Sequence, residues 1–134
     1  MKKPIIKGLQ FIVIVRALLE NCKDVEEGIS YLEEMPIGTN MNLLLADTNG
    51  NAALIETYDG ERAVERVNNK SEFIIATNHA LFPNISRKEN GMLEQSRVRY
   101  DLMENNFKSN DFISKNHLLS LTLKEFIVKL SLIC

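Results

Sequence analysis

Three consecutive residues have side chains that can take part in catalysis or binding: Thr77, Asn78 and His79. They come after an apolar run at residues 73–76 that predicts a strand, so their polar side chains lie where that strand ends. Arg97 and Arg99 follow in a segment with helical spacing. An amide at a strand end and a guanidinium on the next helix can together bind a developing oxyanion or a carboxylate.

Each of these residues also has a purely structural interpretation. Asn78 can cap the strand and satisfy loop backbone. His79 can act as a base, but the sequence pairs it with no nucleophile, and a histidine that orders its own turn is the simpler hypothesis. Arg97 and Arg99 are two positions apart, so they point to different faces of a helix. One can reach inward while the other is solvated, or both can be solvated.

The sequence contains no convincing nucleophile and no motif for a metal or a cofactor. Cys22 has only Lys23 as an activating neighbour, which favours a semi-buried structural thiol over a reactive one. Ser86 and Ser96 lack the Gly-x-Ser-x-Gly frame. Residues 47–51 resemble part of a calcium loop but lack its final Glu, and a β-turn explains them. We therefore expect no cofactor and no bound metal.

The composition is that of an ordinary globular domain. The chain has 134 residues, of which 45% are hydrophobic and 25% charged, and its net charge is -2. Because Lys and Arg are scattered, we expect no binding to nucleic acid. The apolar stretch at residues 11–15 is interrupted by Arg16, which predicts neither a signal peptide nor a membrane span. The two cysteines form no metal spacing or disulfide framework, which favours a reducing cytoplasm.

Two helices are predicted first. Residues 10–22 have helical spacing and an Arg16–Glu20 pair, although the β-branched run at residues 12–15 leaves a strand start open. The expected buried face of this helix consists of Ile12, Val15, Leu18 and Leu19. Asp24 to Glu27 has the form of a capping box and opens a second helix that ends before Pro36. Its expected apolar stripe consists of Val25, Ile29 and Leu32.

The middle of the chain predicts an antiparallel meander of about four strands. The strands fall at residues 42–47, 52–58, 62–67 and 73–77, with turns at 48–51 and 68–70. Asp59-Gly60 is a strong signal for a two-residue hairpin. The fourth run is apolar on both faces and therefore predicts a central strand. Residues 79–90 predict a loop, and residues 93–107 and 118–133 predict helices. The fold class is therefore α+β, with helices flanking the sheet.

Five segments in this order resemble one protein family. They are Arg-Ala-Leu-Leu-Glu at 16–20, Asn-Leu-Leu-Leu-Ala-Asp at 42–47, Gly-Asn-Ala-Ala-Leu-Ile-Glu at 50–56, Ala-Thr-Asn-His at 76–79 and Ser-Arg-Val-Arg-Tyr at 96–100. The family is that of the acyl-coenzyme A:6-aminopenicillanic acid (isopenicillin N) acyltransferases, which is similar to choloylglycine hydrolases and penicillin V acylases. These enzymes are N-terminal-nucleophile hydrolases.

The resemblance implies a fold and two site residues. The family fold is an αββα sandwich, and its nucleophile is a cysteine that autoproteolysis exposes at an amino terminus, with its own α-amino group as base. The family's strand-end Asn falls on Asn78, which would help to hold the tetrahedral intermediate. Its late arginine falls on Arg99, with a charge-stabilising role. The resemblance assigns no such role to Cys22, which lies on a scaffold helix.

The chain also departs from the family. The family's nucleophile lies upstream of the helix that contains Arg16, and the expected closing strands do not follow residue 107. We therefore expect a single partial domain over residues 1–134, family-like over about 8–107 and with a divergent helical tail at 108–134. It would be a central-to-late fragment of a linear amide hydrolase or acyltransferase, inactive alone.

Two kinds of partner follow from these alternatives. The full-length parent would act on a small-molecule amide or acyl donor, and the fragment would need the missing amino-terminal half. The alternative is a non-catalytic α+β module that forms a homodimer or binds a partner through an uncovered sheet.

Overall fold

The computed structural model describes residues 6–67, 73–89 and 94–109. Its helices are α1 (Phe11–Asn21), α2 (Val25–Glu34), α3 (Pro83–Ser86) and α4 (Glu94–Ser109), and its strands are β1 (Met41–Ala46), β2 (Ala52–Tyr58) and β3 (Glu61–Arg66). The predicted α+β class is confirmed. None of the described helices has both the length and the apolar character needed to cross a membrane.

The three strands form one antiparallel sheet in the order β1-β2-β3. The predicted hairpin between β2 and β3 is confirmed, because Tyr58 pairs with Glu61 and only Asp59 and Gly60 lie between them. Both turn residues have positive φ, 46° for Asp59 and 87° for Gly60. A two-residue turn of this kind matches the twist of the strands, and Asp-Gly tolerates it best.

The predicted fourth strand does not join the sheet in the part of the chain that the structure describes. Residues 73–77 run without a strand partner, and of their apolar side chains only Ile75 is buried. Phe73 stacks instead on Phe107 of α4, with ring centroids 4.9 Å apart. The predicted turn at 68–70 and the predicted helix at 118–133 lie outside the described residues.

The loop predicted at residues 79–90 contains the short helix α3. Pro83 is its first residue, where the missing N–H of proline is tolerated. The predicted helix at 93–107 is confirmed as α4.

The main hydrophobic core lies between one face of the sheet and the helices α1 and α2. Alternate residues of β1 and β2 point into it, because side chains alternate across a strand. The buried members of this core are Ile14, Leu18, Cys22, Val25, Ile29, Leu32, Met35, Ile37, Met41, Leu43, Leu45, Ala53 and Ile55. The stripe predicted for α2 is therefore confirmed.

The face predicted for α1 is wrong in part. Ile14 and Leu18 are fully buried, whereas Ile12 is 66% exposed and Leu19 is 47% exposed. The helix has apolar residues around most of its circumference, so periodicity alone could not select the side that meets the sheet. The predicted pair of Arg16 and Glu20 is present, with Nε and Oε1 2.8 Å apart.

Three carboxylates accept backbone N–H groups at the amino terminus of helix α2. Asp24 Oδ1 accepts the backbone N–H of Glu27 at 2.8 Å, as the predicted capping box requires. The Glu27 side chain accepts from the Lys23 N–H at 3.1 Å, one residue earlier than in a standard box. Asp47, after β1, accepts the Val25 N–H at 3.3 Å. These bonds satisfy donors that the helix leaves unpaired.

Helix α2 is held at its carboxyl terminus by the sheet. Arg62 of β3 donates to the backbone carbonyls of Leu32 and Met35. A cation here satisfies unpaired carbonyls and complements the negative end of the helix dipole. Both ends of α2 are therefore tied to residues in or next to strands.

We predict that the two faces of α1 respond differently to truncation. Ile14→Ala should lower the free energy of unfolding by about 2–5 kcal/mol, because it leaves a cavity in the core. Ile12→Ala, the matched control, should change it by less than about 0.5 kcal/mol, since that side chain is largely solvated. Urea denaturation followed by circular dichroism measures both. A larger loss for Ile12→Ala than for Ile14→Ala would show that α1 packs through its other face.

Candidate functional site

The turn that contains Asn78 lies across the sheet face opposite the main core. It is tied there by Asn42 of β1, whose Nδ2 donates to the backbone carbonyl of Thr77 at 2.9 Å and to that of His79 at 2.7 Å. These two carbonyls flank Asn78. The bonds fix the backbone on both sides of the residue, so they determine where the Asn78 side chain emerges.

Glu56 of β2 holds the next part of the same loop. Its side chain is fully buried, and its carboxylate accepts the N–H of Leu81 at 2.7 Å and of Phe82 at 3.0 Å. Burial raises the pKa of Glu56, and the two backbone donors act in the opposite direction with a smaller effect. Asn42 and Glu56 are direct partners in the β1–β2 register, so they act as one polar pair on this face.

A third anchor of the loop is Glu89, whose carboxylate accepts the Ala80 N–H at 2.7 Å. Ala80 also belongs to a small second core with Tyr58 and Ile85. Residues 80–82 therefore have all their backbone donors bound to carboxylates while an apolar cluster packs beside them. A segment anchored in this way restricts the movement of the turn that precedes it.

A buried hydroxyl joins the turn to α4. Ser96, in the first turn of α4, is fully buried, and its Oγ accepts the Asn78 backbone N–H at 2.8 Å. The same Oγ lies 2.9 Å from His79 Nδ1, and Thr77 Oγ1 lies 2.9 Å from that nitrogen as well. The network therefore contacts all three residues of the Thr77-Asn78-His79 segment.

The structure brings Asn78 and Arg99 together. Arg99 Nη2 donates to Asn78 Oδ1 over 3.4 Å, and Asn78 is exposed to solvent. Arg99 is three residues after Ser96, so both lie on the side of α4 that faces the turn. Arg97, two residues before Arg99, is exposed. The expectation that the two arginines point to different faces of the helix is thus met by the geometry.

The His79 ring is buried within this site, and burial favours its neutral form. Burial lowers the pKa of His79 as its largest effect; Glu89 and Asp101 raise that pKa, and Arg97 and Arg99 lower it. His79 is also packed edge-on against Tyr100, with centroids 5.7 Å apart. Its Nδ1 contacts Ser96, which the sequence did not pair with it, but Ser96 is too buried to attack a substrate.

Cys22 does not belong to this arrangement. It is buried in the main core at the end of α1. Burial raises the pKa of its thiol, and Glu27 and Asp24 raise it further. Four of the eight residues that line the groove beside it are acidic, and the groove includes neither Asn78 nor Arg99. An activated thiolate needs the opposite surroundings, so the structure supports a structural role for Cys22.

The structure also explains the resemblance of residues 47–51 to a calcium loop. Asp47 Oδ1 accepts the N–H of Asn49 at 2.9 Å and of Asn51 at 3.0 Å, so the segment is the turn between β1 and β2. Within residues 6–67, 73–89 and 94–109, His, Cys, Asp and Glu side chains form no group of three or more that could hold a metal ion.

Sequence reasoning selected Asn78 and Arg99 but missed the residues that place them, which are Asn42, Glu56 and Ser96. The sequence does contain an indication that Asn42 and Glu56 have such a role. In an alternating strand pattern Asn42 and Glu56 occupy positions on one face otherwise filled by apolar residues, and a buried polar residue must find a partner. Ser96 gave no comparable signal, because its partners lie in a loop.

A scan against protein-family models matches residues 1–123 to the family of acyl-coenzyme A:6-aminopenicillanic acid acyl-transferase. A search of curated proteins returned no significant match. A search of solved structures returned none either.

We predict that Glu56 makes stability depend on pH in a defined direction. A raised pKa in the folded chain means that the fold binds the Glu56 proton more tightly than the unfolded chain does. The stabilisation from this proton is present below the ordinary carboxyl pKa and is lost as pH rises through the raised value. Glu56→Gln should cost about 1–3 kcal/mol in acid, because an amide leaves one backbone N–H unpaired.

The cost of Glu56→Gln should become smaller toward neutral pH. Urea denaturation at a series of pH values from 4 to 7 measures the difference from the unsubstituted chain. Glu33→Gln, at an exposed position of α2, is the control and should leave stability nearly unchanged. A cost that grows with pH would contradict the raised pKa.

Proposed function

Because this chain belongs to the acyl-coenzyme A:6-aminopenicillanic acid acyl-transferase family, we propose that it carries part of the site of an acyltransferase or linear amide hydrolase. The observation that carries this proposal is the contact between Asn78 and Arg99. The turn presents an amide and α4 presents a guanidinium at one exposed point, 3.4 Å apart. The groups reach it from separate elements that buried hydrogen bonds hold together.

The proposed reaction is nucleophilic acyl transfer. A thiolate attacks the carbonyl carbon of an amide, and the carbonyl electron pair moves to oxygen, which becomes an oxyanion. Asn78 donates a hydrogen bond from its side-chain amide to this oxyanion. Arg99 adds a positive charge that stabilises the same intermediate. Donors held in place before the reaction stabilise the transition state most effectively.

The intermediate then collapses. The C–N bond breaks, the amine leaves with a proton from the base, and a thioester remains. Water attacking this thioester completes hydrolysis, whereas a second amine completes acyl transfer. The substrate class we propose is a small-molecule linear amide or acyl donor. The family relationship supports both outcomes, since they share the acyl-enzyme.

We propose that the attacking thiol is not Cys22. This thiol is buried, its pKa is raised, and it lies in a different part of the structure. A cysteine at a processed amino terminus, with its α-amino group as base, would instead complete the site. The sheet described above would then form one layer of an αββα sandwich.

Because Cys22 is a free thiol, we expect the protein to work in a reducing cytoplasm.

We predict that amide turnover requires a processed amino-terminal cysteine other than Cys22. The DNA flanking the reading frame is searched for a segment that encodes such a cysteine, and its product is co-expressed with this chain and assayed with a panel of chromogenic linear amides. The chain alone should give no turnover. Robust hydrolysis by the purified chain alone would overturn the proposal.

In the active complex, Asn78→Ala should lower kcat by about 10²–10³-fold, as loss of one oxyanion donor does elsewhere. Arg99→Ala should also lower kcat strongly. Arg97→Ala removes the same charge from an exposed position of the same helix and should leave kcat near that of the unsubstituted complex. Equal effects at 97 and 99 would show that only the general charge of α4 matters.

A second candidate function is favoured by one observation. Helix α1 exposes Ile12 to 66%, Val13 to 50% and Leu19 to 47%, all on a surface away from the core. Exposed apolar side chains grouped in this way are typical of interaction surfaces. The alternative is therefore a non-catalytic module that forms a homodimer or binds another protein through α1.

If the module function is correct, the purified chain should be a monodisperse dimer in size-exclusion chromatography with light scattering, and Ile12→Ser should convert it to a monomer. A monomeric unsubstituted chain would contradict self-association through α1. Ser86→Ala is the control, because Ser86 is exposed and lies on α3.

A further inference from the structure

We propose that Ser96 and His79 are positioning residues, whose buried hydroxyl–imidazole pair holds the Asn78 amide and the Arg99 guanidinium at a fixed separation. This inference rests on the proposed function for its catalytic meaning, since it concerns the same two groups. Neither Ser96 nor His79 reaches the solvent-exposed point where those groups meet, because Ser96 is fully buried and His79 is 6% exposed. They therefore act through Asn78 and Arg99.

Ser96 is suited to this role by its location in α4. Its Oγ contacts the Asn78 backbone at 2.8 Å, and its own helix carries Arg99 one turn later. A single atom thus links the turn that presents the amide to the helix that presents the guanidinium. The hydrogen bond between Asn78 and Arg99 themselves is long, at 3.4 Å, and exposed, so it contributes little on its own.

The hydrogen-bond donors and acceptors around Ser96 indicate what His79 does. Ser96 Oγ accepts the Asn78 N–H, so its own hydrogen can be donated to His79 Nδ1 at 2.9 Å when that nitrogen carries no proton. Thr77 Oγ1, which is also 2.9 Å from Nδ1, then donates its hydrogen elsewhere. Nδ1 is an acceptor only in the neutral ring that carries its proton on Nε2. His79 thereby fixes the rotation of the Ser96 hydroxyl, which keeps a lone pair directed at the Asn78 N–H.

The surroundings of His79 favour this neutral ring. Burial lowers its pKa, and the nearby charges act in both directions, with Glu89 and Asp101 opposed by Arg97 and Arg99. If the ring is protonated, Nδ1 becomes a donor and the Ser96 hydrogen loses its acceptor. Nδ1–H then donates to Ser96 Oγ or Thr77 Oγ1, and the Ser96 hydrogen must turn to another acceptor, which changes the direction of the lone pair that the Asn78 N–H uses. The geometry of Asn78 should therefore depend on the protonation of His79.

Hydrogen exchange of the Asn78 backbone amide in the ¹⁵N-labelled full chain tests the proposal without any turnover. Ser96→Ala should speed this exchange by about tenfold, because a buried hydrogen bond of ordinary strength is lost. The Asn78 side-chain NH₂ resonances should shift at the same time, since they sense the Arg99 guanidinium. Ser86→Ala should change neither. The Ile55 amide of β2 reports whether the fold is intact.

Substitutions of His79 separate positioning from simple packing. His79→Ala should speed Asn78 exchange, whereas His79→Asn offers an oxygen acceptor near the position of Nδ1 and should restore slow exchange. The ¹⁵N shifts of the His79 ring should show Nδ1 without a proton at neutral pH, and Asn78 exchange should accelerate when the ring titrates. These measurements test the proposal even if the Ser96→Ala chain fails to fold.

Two results would overturn the proposal: unchanged Asn78 exchange in a folded Ser96→Ala chain, or equal exchange in His79→Ala and His79→Asn. Neither depends on catalysis. Fast exchange in Ser96→Ala together with an inactive complex would instead uphold the positioning pair and overturn only the proposed function. In an active complex, Ser96→Ala should lower kcat and leave KM nearly unchanged, because it displaces groups that act in the transition state.

Discussion

The arrangement of this protein depends on the polar pair of Asn42 and Glu56 on one face of the sheet. Together their side chains bind two carbonyls and two N–H groups of the loop at residues 77–82. A loop of this kind would otherwise bury unsatisfied backbone, which costs on the order of 1–3 kcal/mol for each group. The pair therefore makes it possible for an irregular segment to lie against the sheet, and it determines where Asn78 emerges.

Because side chains alternate along β1 and β2, the two faces of the sheet have different roles. One face packs Leu43, Leu45 and Ile55 against α1 and α2 and supplies most of the apolar burial. The other face carries the polar pair and a small apolar cluster around Tyr58 and Ile85. Most of the apolar burial and the placement of the site thus come from opposite sides of the same strands.

The site itself combines exposure at one point with burial around it. Asn78 is exposed and Arg99 is partly exposed, whereas Ser96 and His79 behind them are buried. Because the supporting hydrogen bonds are shielded from water, they restrict the two outward groups more firmly than their own 3.4 Å contact does. This combination suits a group that must meet a developing charge without first reorganising. It is the physical basis for the supporting roles proposed for Asn78 and Arg99.

The sequence by itself determined the local elements and the family. The α2 stripe, its Asp24 cap and the Asp59-Gly60 hairpin were predictable because short-range propensity and turn chemistry decide them. It also pointed to Asn78 and Arg99. The sequence could not show which side of α1 is buried, because this helix is apolar almost all round. Nor could it show that residues 73–77 do not pair with the described strands. Those outcomes, and the contacts of Ser96 with Asn78 and His79, depend on which surfaces meet over separations of many residues. Only the tertiary structure decides that, because packing and the pairing of buried polar groups are properties of the whole fold.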